Sequence, residues 1–178
     1  AGRSDSFKLY NYPRAYLISG LTDYARSQKD SVLMSKTAKI FDNYINHDGS
    51  PSFVFDKVDQ VPFGIAAINL YHYTNNIKYK KFADYIYNYL KSLEQNKINI
   101  VLYRKKDTRQ LSDVIGMICP FLVRYEEIHK DDASFMMSLR QLEFYIKYGV
   151  DKDTFLPSHG INLKTTIKVG PSNWGRGI

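Results

Sequence analysis

Cysteine is nearly absent: Cys119 alone in 178 residues excludes an intrachain disulfide. It sits in the apolar run Val114–Val123, where the expectation is a buried structural thiol. Scarce cysteine points to a cytoplasmic protein and leaves open a secreted one whose signal has been removed. No apolar run reaches the roughly 18 residues that a membrane-spanning helix requires, so no membrane partner is expected. The opening Ala1-Gly-Arg3-Ser-Asp5 has no apolar core of a secretory signal. Phosphate-cradling glycine loops, dinucleotide fingerprints and serine-elbow sequences are also missing. The histidines and carboxylates show no tight metal-ligand spacing. Neither a metal nor an organic cofactor is therefore expected.

A strong basic stripe is lacking too. The net charge is +7, which favours anionic partners, yet the cations are scattered. Only Lys80-Lys81 and Arg104-Lys105-Lys106 cluster, and a solvated surface accounts for such short groups. No nucleic-acid partner is expected. Tyrosine, by contrast, is abundant at 15 residues. Its apolar ring and polar tip suit a wet cavity inside a helical shell, and equally a ring packed with its hydroxyl at the surface.

Periodicity predicts helices throughout. Pro13–Ser27 opens on a proline tolerated in a first turn and sets Tyr16, Leu17, Leu21 and Tyr24 on one face. Ser31–Asn46 carries Leu33, Ala38, Phe41 and Ile45 before the breaker His47-Asp48-Gly49-Ser50-Pro51. A third helix follows Pro62, with Ile65, Ile68 and Tyr71-His72. The others are predicted at Lys78–Leu93, Ser112–Ile128 and Ser134–Tyr148, the last ended by Gly149. The six segments pair into three similar hairpins with turns at Asp30, Asn75-Asn76 and Asp131-Asp132. Their second helices close on Tyr44-Ile45, Tyr89-Leu90 and Tyr145-Ile146. Recurrence near every 50 residues predicts a toroid or solenoid of helix pairs, in one all-α domain over 1–178.

Three long connectors, Asp48–Val61, Asn96–Gln110 and Asp151–Gly175, join the hairpins, and long loops on one rim are where function concentrates. Asp59, Asp113 and His159 lie where a connector meets or follows a helix. Each also has a plainer role. Asp113 with Ser112 suits a helix start, Asp59 suits a turn, and His159 suits a loop. The only tryptophan falls in the final turn Trp174-Gly-Arg176-Gly177, which joins an indole face to a guanidinium and also fits a packing plug.

Taken in order, these segments resemble the first half of the unsaturated glycuronyl hydrolases, glycoside hydrolase families 88 and 105. The likeness is closest to the unsaturated rhamnogalacturonyl hydrolases. It runs from Asn11-Tyr12-Pro13-Arg14-Ala15 through Asp59-Gln-Val-Pro62-Phe-Gly64, Leu111-Ser-Asp113-Val-Ile-Gly-Met117 and Leu156-Pro-Ser-His159-Gly160 to Trp174-Gly-Arg176-Gly177. The sequence departs from the family's usual pattern at Leu111, where a tryptophan is common, and at Val114, often a glycine.

The resemblance implies an (α/α)6 barrel with six of its twelve helices present. A half-barrel would expose apolar surface at its open edges, so a homodimer closing it is expected. It implies hydration of the C4–C5 double bond of a terminal unsaturated uronic acid on an acidic oligosaccharide, without cofactor. Asp113 would be the general acid/base, Asp59 the second carboxylate, and His159, Trp174 and Arg176 substrate-binding groups. The alternative is a catalytically inactive or truncated helical scaffold that binds saccharides.

Overall fold

A computed structural model describes residues 12–94, 98–130 and 132–172. Among these residues, six α-helices and three short strands form. The helices are α1 (Tyr12–Ser27), α2 (Ser31–Phe41), α3 (Phe63–Thr74), α4 (Ile77–Leu93), α5 (Ser112–His129) and α6 (Asp132–Gly149). The strands are β1 (Arg109–Leu111), β2 (Ser158–Asn162) and β3 (Lys168–Ser172). The chain forms two compact units, 1–86 and 87–178, with α4 running from one into the other.

Local chemistry sets the hairpins. Asp30 caps α2 by accepting the Leu33 N–H at 2.9 Å, which satisfies one of the donors that a helix start leaves open. Each hairpin turns on one residue in the left-handed region: Lys29 at φ 54°, Asn75 at φ 54° and Lys130 at φ 51°. The Asn75 N–H donates back to Tyr71 O, and the Lys130 N–H to Glu126 O. These bonds close the preceding helix in the manner of a C-terminal cap. Helix α2 is shorter than its periodicity predicts. It ends at Phe41, a 3-10 turn spans Asp42–Tyr44, and Ile45 is extended and bridges Pro51. Gly49, at φ 91°, lets the loop settle where a Cβ would lie 2.4 Å from Lys81 Cβ.

In the first unit, α1 packs on both α2 and α3. The face of α1 that turns inward is not the expected one. Ala15, Ile18, Ser19, Thr22 and Ala25 are buried, whereas Tyr16, Leu17 and Tyr24 are exposed. Small side chains win because they allow close approach and can hydrogen-bond inside. Ser19 donates to the Pro62 carbonyl, and buried Asn69 donates to Thr22 at 3.0 Å and to Asp23 at 2.8 Å. Buried polar groups need such partners. Phe41 anchors the aromatic core, with ring centroids of Phe82, Tyr79, Phe63 and Tyr44 at 5.4, 5.9, 6.2 and 6.5 Å.

In the second unit α5 lies along α6. Val114, Met117, Ile118, Phe121, Leu122 and Tyr125 of α5 are buried, the three-to-four spacing of a single apolar stripe. Cys119 is half-buried, less enclosed than its apolar run predicts, with its thiol 3.6 Å from Ser138 O, and burial pushes its pKa up. Gln141, fully buried, accepts from Val101 N at 2.8 Å and from Gln110 Nε2 at 3.2 Å, and donates to Asn99 O at 3.0 Å. It ties the connector before β1 to α6.

The segment 158–172 is not a bare loop. Its strands β2 and β3 pair antiparallel and continue the sheet begun by β1, in the order β1-β2-β3. Helices dominate, as the sequence predicts, with this small sheet as the addition. Truncation of the aromatic anchor, Phe41→Ala, removes a side chain with no exposed surface and is expected to cost about 3–5 kcal/mol. Urea denaturation of the variant against the parent chain checks it.

Candidate functional site

Strand β1 feeds directly into α5. Leu111 is still extended, at φ −100° and ψ 151°, and Ser112 and Asp113 occupy the first helical turn. A carboxylate there is favoured by the positive end of the helix dipole. Asp113 is half-buried, and the Ser112 hydroxyl lies 3.3 Å from its Oδ1.

The register of β1 against β2 brings His159 to this point. Arg109 faces Asn162, Gln110 faces Ile161 and Leu111 faces Gly160. A Cβ on Gly160 would lie 2.8 Å from both Gln110 O and Leu111 Cδ2, so only glycine permits the pairing. The family's usual tryptophan position, Leu111, thus packs against the glycine next to His159. Between Ser158 and Gly160 the pairing with β3 shifts, from Ser172 to Val169. His159 therefore stands at a bulge, a device that re-aims a side chain. Opposite it, Gly170 adopts φ 79°, and a Cβ there would meet His159 Cβ and Nδ1 at 2.8 Å. Gly170 makes room for the histidine, and Gly160 for the strand beside it.

Tyr145 of α6 binds these pieces together. It is buried, and its hydroxyl donates to the Ser158 carbonyl, the residue before His159. The Ser112 hydroxyl also reaches the phenol. Burial pushes the Tyr145 pKa up, the bonds from Ser158 and Ser112 act against that, and the neighbouring Asp113 carboxylate adds to it. The phenol consequently stays protonated and acts as a donor. Gly149 accommodates its ring, since a Cβ there would sit 2.8 Å from Cε1 and Cζ. The repeat of helix-closing tyrosines singles out Tyr145 in the sequence. Its position beside Asp113 is set by tertiary contact alone.

Asp59 belongs to the first unit, in a 3-10 turn over Val58–Gln60. The turn is held from within by Gln60, which accepts from Asp56 N at 2.9 Å and Lys57 N at 3.3 Å and donates to Val54 O at 2.9 Å. The Asp59 side chain is only 13% exposed, and Lys57 Nζ lies 3.9 Å from it. A mostly enclosed carboxylate on a braced turn is suited to holding hydroxyl groups. Trp174 and Arg176 lie outside the described residues. Among the described residues, no group of three or more His, Cys, Asp or Glu could hold a metal ion. No helix among them is long and apolar enough to cross a membrane.

Comparison with solved structures supports this architecture. A family 105 glycoside hydrolase from C. acetobutylicum ATCC 824 superposes with a TM-score of 0.83 at 20% identity, covering 96% of this chain and 50% of that one. A possible member of the GH105 family from Klebsiella pneumoniae subsp. pneumoniae MGH 78578 gives 0.78 at 12% identity, covering 94% and 44%. The GH76A alpha-1,6-mannanase from Salegentibacter sp. HEL1_6 gives 0.73 at 17% identity, covering 92% and 49%. At such identities the likeness is one of fold, that of the (α/α)6-barrel glycosidases. The chain spans about half the length of these structures. No curated protein matches it. The sequence profile of Glycosyl Hydrolase Family 88 matches residues 4–178, and the chain belongs to that family.

Proposed function

We propose that this chain carries the reacting half of a glycoside hydrolase site that acts on oligosaccharides ending in an unsaturated uronic acid. The observation that carries the reading is the junction of β1, α5 and β2. A carboxyl group at a helix start sits there beside a buried serine–tyrosine pair and one register step from a histidine. Membership of Family 88 supports the same chemistry.

In this reading Asp113 delivers a proton to C4 of the C4–C5 double bond while water adds at C5. The proton lost by that water returns to the Asp113 carboxylate, so the residue is regenerated. The hydrated ring is unstable and rearranges, releasing the neighbouring sugar. Ser112 orients the carboxyl through its hydroxyl, and Tyr145 positions Ser112 and the Ser158 carbonyl around it. His159 donates to the substrate near the reacting ring, and Asp59 holds sugar hydroxyls or orients the water. Trp174 stacks on the sugar, and Arg176 pairs with the uronate carboxylate. A second copy of the chain supplies the remaining helices of the barrel. The exposed Tyr16, Leu17 and Tyr24 on α1 support that arrangement.

The test is loss of the ultraviolet absorbance of the unsaturated uronate across a panel of lyase-generated disaccharides. Activity of the parent chain should fall about 10²–10⁴-fold in Asp113→Asn. Equal rates in the two proteins would remove Asp113 from the reaction. Binding of the disaccharides with no absorbance loss in the parent would favour the saccharide-binding scaffold instead. Tyr145→Phe should lower kcat about tenfold and change its pH profile, with KM little altered, because the hydroxyl that positions Ser112 and the Ser158 carbonyl beside Asp113 is lost. An unchanged kcat in a variant of native circular dichroism would make Tyr145 purely structural.

A further inference from the structure

A cavity of about 350 Å³ opens in the first unit where α1 and α3 end and α2 begins. It lies at the far end of α3 from Asp59. That helix has 12 residues, so about 18 Å of helix separates the two places. The size falls in the range of small-molecule sites, about 300–1,000 Å³.

Its lining has a definite chemistry. Arg26, Lys29 and His72 bring three cationic or protonatable groups to the rim. The one acid there, Asp30, is engaged in capping α2 through Leu33 N at 2.9 Å. Basic side chains at the ends of α1 and α3 also offset the helix dipoles, but that role does not require them to surround a common hollow. Arg26 is held in place: its Nη1 donates to Asn69 at 3.3 Å, and buried Asn69 is fixed in turn by Thr22 and Asp23. The other guanidinium nitrogens have no protein partner among the described residues. Ala25 and Met34 form a buried apolar floor. The ring of Tyr73 makes a wall, its hydroxyl 3.3 Å from both Ser31 O and Ser35 Oγ.

Fixed cation, flat aromatic wall and apolar floor are complementary to one ligand chemistry. We propose that this cavity binds a small carboxylated sugar ring of the uronate class. The carboxylate pairs with Arg26 and Lys29, a charge-assisted contact suited to a planar fork. The apolar face of the ring lies on Tyr73, and its hydroxyls meet Ser31 at the start of α2. Inorganic phosphate would use the cations and leave the wall idle, and a neutral sugar would do the reverse. The assignment does not rest on the function proposed for Asp113.

Isothermal titration of the full chain at low salt with glucuronate, glucose and inorganic phosphate tests the assignment. Glucuronate is expected to bind with Kd on the order of 1 mM, the affinity typical of a ligand this small. Glucose and phosphate should each bind about tenfold more weakly or not at all. The double variant Arg26→Ala/Lys29→Ala should lose about tenfold or more in glucuronate affinity, and Asp113→Asn should bind as the parent does. Tyr73→Leu, which keeps the charges, should also weaken glucuronate while leaving phosphate unchanged. The proposal is overturned if glucuronate does not bind, if the double variant binds it as tightly as the parent, or if phosphate matches it. A loss confined to Asp113→Asn would place binding at the other site and overturn it as well.

Discussion

Everything at the candidate site depends on the pairing of Leu111 with Gly160. Two segments that lie about fifty positions apart approach so closely there that no side chain fits between them. The contact fixes where α5 starts, and therefore where the Asp113 carboxyl stands. It also fixes β2, and with it the bulge that carries His159. Tyr145 secures the same junction from the side of α6, through the Ser158 carbonyl. A helical scaffold supplies stiffness, but a three-residue strand supplies the register.

Much of the helical architecture is legible in the sequence. Breakers at Gly49-Ser50-Pro51, the proline ahead of α3, the Asp30 cap and Gly149 mark boundaries by local chemistry, and the observed helices begin and end near them. The recurrent hairpin is legible as well, although its common device is a left-handed residue, which falls on the expected Asn75 in one turn and on Lys29 and Lys130, just before the expected acids, in the other two. The inward face of α1 is not legible. Hydropathy ranks Tyr16, Leu17 and Tyr24 above Ser19 and Thr22, while the structure selects small residues that pack closely and satisfy their own polar atoms. The sheet is equally hidden. Its strands are three to five residues long, with serine and glycine in both β2 and β3, and stable only through one another.

The same distinction separates the site residues. Asp113 stands out because a helix start and an acid coincide, and Asp59 because an acid precedes a proline-led helix. Nothing local marks Tyr145 as company for Asp113 and its neighbour Ser112. Their meeting depends on α6 lying along α5 and on β2 crossing behind both, contacts between residues far apart in the chain. Sequence periodicity locates elements; it carries little about which hydroxyl faces which carboxylate across them.

Gly170 has one more consequence. Its positive φ and missing side chain let the backbone of β3 lie flat against the His159 ring. A histidine on an open loop would sample several rotamers and lose that freedom only when a ligand arrived, at a cost of about 0.5–1.5 kcal/mol. Backed by a glycine, the imidazole gives up that freedom during folding. Under the proposed function, an incoming sugar would meet a surface already set, and selection among ligands would rest on shape more than on adaptation.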